Sequence, residues 1–89
     1  MRMLPAVALV AALLPGVALA EELCVLAEGE TAKTEDEVKA HAEGLGFAVA
    51  NLKTEDGCYE VYATDTVGTK LEVFFHPATF KIAKVKVDS

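Results

Sequence analysis

The feature that most constrains the fold of this chain is a change of apolar period near residue 47. Before it, Val38, Ala42 and Leu45 fall at i, i+4 and i+7, the spacing of one face of a helix. After it, apolar and polar residues alternate, the period of a half-buried strand. A helix followed by strands, with no later return to the helical period, predicts an α+β domain.

The boundaries can be read residue by residue. Thr34 precedes Glu35, Asp36 and Glu37, so its hydroxyl can accept from the free amides of a helix start while Glu37 reaches back. The three carboxylates suit the positive end of the helix dipole, and Gly44 or Gly46 offers the stop. Phe47 to Lys53 reads as a first strand, with Thr54 to Gly57 as a turn in which Gly57 takes positive φ. Cys58 to Thr64 makes a second strand, Asp65 to Gly68 a turn, and Lys70 to His76 a third strand. Pro77 to Thr79 reverses the chain into a fourth strand, Lys81 to Val87. The expected architecture is one short helix packed on a four-stranded antiparallel meander.

Strand parity then sorts the side chains. Tyr59, Val61, Ala63, Leu71, Val73, Phe75, Ala83, Val85 and Val87 are expected to face the helix. The other face would carry Cys58, Glu60, Tyr62, Lys70, Glu72, Phe74, His76, Ile82, Lys84 and Lys86, a mixed surface rich in aromatics. Glu60, Tyr62, Glu72, Phe74 and His76 are therefore the candidate partner-binding face. The competing reading is that an N-terminal arm lays Leu23, Val25 and Leu26 over Tyr62 and Phe74.

That arm depends on what precedes it. Arg2, the apolar run Leu4 to Leu14, the break at Pro15 and Gly16, and Ala18-Leu19-Ala20 form the pattern of a cleaved signal peptide over 1–20. A retained membrane anchor is disfavoured by the shortness of the run and by Pro5 and Pro15. A lipoprotein would need a small residue directly before its cysteine, whereas Leu23 precedes Cys24. The expected organisation is a leader over 1–20, an arm over 21–33 and the α+β domain over 34–89, exported to the periplasm or secreted, with no stable membrane insertion after cleavage.

So small a domain buries few core residues, which makes a covalent staple valuable. Cys24 and Cys58 are the two cysteines, and export to an oxidising compartment favours their disulfide, a staple for the arm. The alternatives are metal thiolates or a catalytic thiol. A zinc site would need two further ligands at close spacing, and His41 and His76 are isolated. A nucleophilic cysteine would have to remain reduced outside the cell.

Charge narrows the partners. All fourteen carboxylates follow Ala20, where only seven of the eight basic residues remain, a net charge of −7 without the leader. Nucleic acid is not an expected partner, because phosphate binding needs clustered Lys and Arg. A hydrolytic serine is effectively absent, since Ser89 is the only one and lies at the terminus. Glu60 and Glu72 are expected to neighbour each other across two strands as a solvated face paired with Lys70 or Lys84 rather than as an acid and base pair. The sequence carries no phosphate-binding glycine loop and no metal motif, so no catalytic residue, metal or cofactor is assigned.

The run Leu52-Lys53-Thr54-Glu55-Asp56-Gly57-Cys58-Tyr59-Glu60-Val61-Tyr62-Ala63-Thr64-Asp65, with Gly68, Leu71-Glu72-Val73 and His76-Pro77-Ala78-Thr79, resembles the small secreted proteins of the PepSY family. Two positions depart from the usual pattern: His76 stands where the family commonly has Asp, and Phe80 where it commonly has Gly. The last turn is accordingly expected to be looser or differently shaped. The resemblance implies a non-catalytic module that binds a protein or peptide, an extracytoplasmic peptidase among them. It transfers no catalytic residue. A cation or small-ligand sensor built on Glu35, Asp36 and Glu37, or on Glu55, Asp56 and His76, and a passive envelope protein are the alternatives.

Overall fold

A computed structural model describes residues 22–88. The expected signal peptide lies outside the described residues. Among those described, the helix α1 spans Glu35–Gly44 and four strands follow, β1 Ala48–Glu55, β2 Cys58–Thr64, β3 Lys70–Phe75 and β4 Ile82–Val87. The strands form one antiparallel sheet in the order β1-β2-β3-β4. No helix among the described residues is long and apolar enough to cross a membrane.

The helix starts where its caps dictate. The Glu37 amide donates to Thr34 Oγ1 at 3.1 Å, and the Thr34 amide donates to Glu37 Oε1 at 2.8 Å. The Thr34 hydroxyl also donates to Glu37 Oε1, at 3.1 Å, and the two bonds that this carboxylate accepts, first from the Thr34 backbone and then from its hydroxyl, hold the Glu37 carboxyl below the usual range. Val38 and Ala42 are fully buried against Val61, Ala63, Val73 and Phe75 of the sheet. Leu45 does not join them. It is the C-cap residue, its amide bonded to the His41 and Ala42 carbonyls, and it is exposed because the helix has ended before its side chain reaches the sheet.

Two bulges adjust the expected register. In β1, Val49 pairs with Ala63 and Asn51 with Tyr62, so Ala50 is the extra residue. In β4, Lys84 pairs with Phe74 but Ile82 pairs with Phe75, leaving Ala83 extra. Ile82 is thereby moved from the outer face, where simple alternation puts it, to the helix side. The first turn is also tighter than expected. β1 continues to Glu55, and only Asp56 and Gly57, with φ of +54° and +77°, reverse the chain. Two positive values are the signature of a turn whose twist matches that of the flanking strands.

The helix backbone approaches β1 and β2, on one half of the sheet. Ala83, Val85 and Val87 therefore fail to pack against it as expected: every residue of β4 is exposed.

Candidate functional site

The outer face is built around the staple. Cys24 and Cys58 form a disulfide and, with Phe74, make a second small core on the side of the sheet away from the helix. The arm is fixed there by its backbone as well. The Cys24 amide donates to the Asp56 carbonyl at 3.0 Å, and the Cys24 carbonyl lies directly over Gly57. A side chain at Gly57 would overlap that carbonyl, so residue 57 must be glycine for its φ and for the arm to pass.

From the staple the arm wraps round the end of the sheet toward the helix side. His76 Nε2 lies 2.9 Å from the Val25 carbonyl, the Lys33 amide donates to the Pro77 carbonyl at 2.8 Å, and the Tyr59 hydroxyl donates to the Lys33 carbonyl. Thr34 then starts the helix. The arm thus covers Phe74, which is 3% exposed, but not in the expected manner. The disulfide sulfurs do the covering, and Leu23, Val25 and Leu26 remain exposed because the chain between them runs along the sheet end.

The five residues singled out from the sequence do not form one open patch. Tyr62 is half-buried, and the Lys53 ammonium stands 5.6 Å from its ring centre. Phe74 carries Lys84 at the same distance. Glu60 is only 2% exposed, so it is no solvated carboxylate. Its ion partner is Lys53, with Nζ 3.8 Å from Oε1, beyond hydrogen-bond reach, and that oxygen has no hydrogen-bond partner. Burial pushes the Glu60 carboxyl above the usual carboxylate range, and the neighbouring Glu72 carboxyl and the Glu55 charge act in the same direction. Lys53 is held above the usual lysine range, first by the Tyr62 side chain and then by Glu55 and Glu60. Glu72 pairs with Lys86 at 3.7 Å, a partner on β4 rather than the expected Lys70 or Lys84.

His76 sits in the β3–β4 turn, where its imidazole does what an aspartate would do. Nδ1 accepts from the Ala78 and Thr79 amides at 3.1 and 3.2 Å. Asp65 Oδ1 does the same in the β2–β3 turn, accepting from Val67 and Thr69 at 3.0 and 2.9 Å. Because Nδ1 accepts, Nε2 carries the proton and donates to Val25, a bond that also ties the turn to the arm. Glu30 Oε1 lies 3.8 Å from the same nitrogen. The turn is therefore held, not loosened, by the departure at residue 76. Phe80 adopts a φ of +64°, the region its usual glycine would favour, and its ring stacks on His41 at 4.7 Å. His41 meets Phe75 edge-on at 5.8 Å, a packing role.

A depression of about 300 Å³ opens beside the β1 bulge, lined by Asn51, Tyr62, Thr64, Lys70, Leu71 and Asp88 among others. Among the described residues no three His, Cys, Asp or Glu side chains come together as a group able to hold a metal ion. Sequence reasoning placed Ala83, Val85 and Val87 under the helix and so missed that β4 is left uncovered, which follows only from the placement of the helix backbone near β1 and β2.

A family model described as peptidase propeptide and YPEB domain matches residues 4–86. No curated protein and no solved structure matches the chain.

Proposed function

The chain belongs to the peptidase propeptide and YPEB domain family, and from that premise we propose that it is an exported, non-catalytic module that binds a protein or peptide and restrains an extracytoplasmic peptidase. The family suggests a propeptide-like or inhibitor-like role and an extracytoplasmic setting, and the disulfide is consistent with that setting.

The observation that carries this reading is the uncovered strand β4. Ile82, Val85 and Val87 are exposed on this outermost strand of a meander whose β2 and β3 residues Val61, Ala63, Val73 and Phe75 are buried with the helix. An extended chain can add to such an edge through main-chain hydrogen bonds, a mode that needs no catalytic group on the binding module. Of the residues that carry the family resemblance, Asp56, Gly57, Cys58 and Tyr59 serve the arm and the second small core, a role in the fold of a binder rather than in chemistry.

The test is a peptidase assay with the oxidised protein against each peptidase of its own envelope, together with co-purification from that envelope. Slowed cleavage at stoichiometric protein, reversed when the complex is diluted, is the expected result. Absence of both binding and inhibition across the whole set would refute the reading.

A further inference from the structure

We propose that the open edge of β4 is a docking site for an extended acidic strand, one whose carboxylates meet Lys84 and Lys86 while its apolar side chains cover Ile82, Val85 and Val87. This rests on the binding reading above and names the chemistry of the partner.

The backbone comes first. The His76 amide donates to the Lys81 carbonyl at 2.8 Å and the Asp88 amide to the Lys70 carbonyl at 2.9 Å. In an antiparallel ladder bonded and non-bonded pairs alternate. Glu72 with Lys86 and Phe74 with Lys84 are then bonded pairs, whereas Val87, Val85 and Ile82 stand in the non-bonded ones. The N–H and C=O groups of those three residues point away from β3, along the open edge.

The same three residues carry the exposed apolar side chains, with relative exposures of 48% for Ile82, 51% for Val85 and 70% for Val87. All three face the helix side through their partners Phe75, Val73 and Leu71. One added strand would satisfy their backbone groups and cover their side chains together.

Charge selects the partner. Residues 21–65 hold three lysines against twelve carboxylates, whereas residues 66–89 hold four lysines against two. An acidic protein thus presents a basic edge. Lys86 is half-exposed in its pairing with Glu72, and Lys84 lies over Phe74, so both ammonium groups stand on the outer face of the edge strand. A second copy is the wrong occupant. Antiparallel pairing of two β4 strands with their sheet faces aligned brings Lys84 or Lys86 opposite a lysine, and like charges directly opposite destabilise a pair. The lysines that guard the edge against its own kind favour a strand of opposite charge.

The experiment uses the full oxidised protein and two synthetic hexapeptides, one alternating Glu and Val and one alternating Lys and Val. Their binding is followed by amide chemical shifts and hydrogen exchange. The Glu-Val peptide should bind more tightly and slow exchange at Ile82, Val85 and Val87 about tenfold when present at about nine times its Kd, with binding weakened by salt. The double variant Lys84→Glu, Lys86→Glu should prefer the Lys-Val peptide. Because that variant also breaks contacts to Phe74 and Glu72, Lys84→Gln, Lys86→Gln serves beside it and should bind the two peptides equally.

Equal binding of both peptides by the unaltered protein, shifts confined to another surface, or β4 protection that appears on concentrating the protein alone would overturn the proposal. Failure of the peptidase assay with the peptide result intact would remove the peptidase reading and leave the edge. A peptidase still restrained by Lys84→Glu, Lys86→Glu would remove the edge and leave that reading.

Discussion

Replacing Gly57 by alanine tests the assertion that the arm, and not only the turn, requires glycine there. Residue 57 has φ +77°, and an added Cβ would run into the Cys24 carbonyl, whose carbon it would approach to 3.2 Å. Gly68 supplies the control, with φ +91° and no heavy atom within 4 Å of an added Cβ. Gly68→Ala should therefore cost only the left-handed backbone term, about 1–2 kcal/mol. Gly57→Ala bears a similar term and must also displace the arm. That breaks the Cys24 amide bond to Asp56, a loss of about 0.5–1.5 kcal/mol, and loosens the packing of Cys24 on Phe74. The total for Gly57→Ala should be about 3 kcal/mol. Urea unfolding of the two variants should separate them by about 1–2 kcal/mol, roughly 4–16 °C in Tm for a domain of this size. In a Cys24→Ser, Cys58→Ser background the arm can lift away, and the separation should vanish as a coupling in the double-mutant cycle. Equal costs for the two glycines in the oxidised protein, or a gap that survives without the disulfide, would refute the reasoning.

Reduction, or the Cys24→Ser, Cys58→Ser pair, should cost about 3.8 kcal/mol on the chain-entropy account for a sequence separation of 34, read as a lowered urea midpoint. Glu60→Gln should stabilise the protein at neutral pH. The folded carboxyl is held above its unfolded value near 4.5 by burial, so the folded state binds more protons and wild-type stability falls as pH rises from that value through the raised one. The advantage of Glu60→Gln should disappear below pH 4.5, and an equal effect at both ends of a pH series of melting curves would contradict the assignment. His76→Asp should keep the β3–β4 turn, since a carboxylate can accept from Ala78 and Thr79. It should release the arm, because the bond to the Val25 carbonyl is lost. Hydrogen exchange should show faster amides in the arm around Val25 with the turn still protected.

Much of the fold was legible because it is local. The Thr34 and Glu37 caps, the strands and the Asp56-Gly57 reversal are each encoded within a few residues, and the structure has them where the pattern predicts to within two residues. Side-chain parity was legible through β2 and β3, where alternation is unbroken. It failed at Ile82, because a bulge depends on how two strands meet and leaves no mark in the period of either. The candidate face was legible as a set of positions but not as an environment. Nothing local distinguishes Glu60, sealed beside Lys53, from an ordinary surface glutamate.

The sequence by itself determined the change of period, the capped helix, the antiparallel meander and the presence of one possible intramolecular cysteine pair, because each follows from spacing and residue type. Only the tertiary structure decided where the helix lies across the sheet, and with it which apolar residues are core and which are left open. The helix backbone lies nearest β1 and β2 while Val38 and Ala42 pack on side chains of β2 and β3, leaving the alternating residues of β4 exposed on a free edge. The tertiary structure also decided that His76 joins turn to arm, since that bond spans 51 residues and rests on geometry that no stretch of sequence contains.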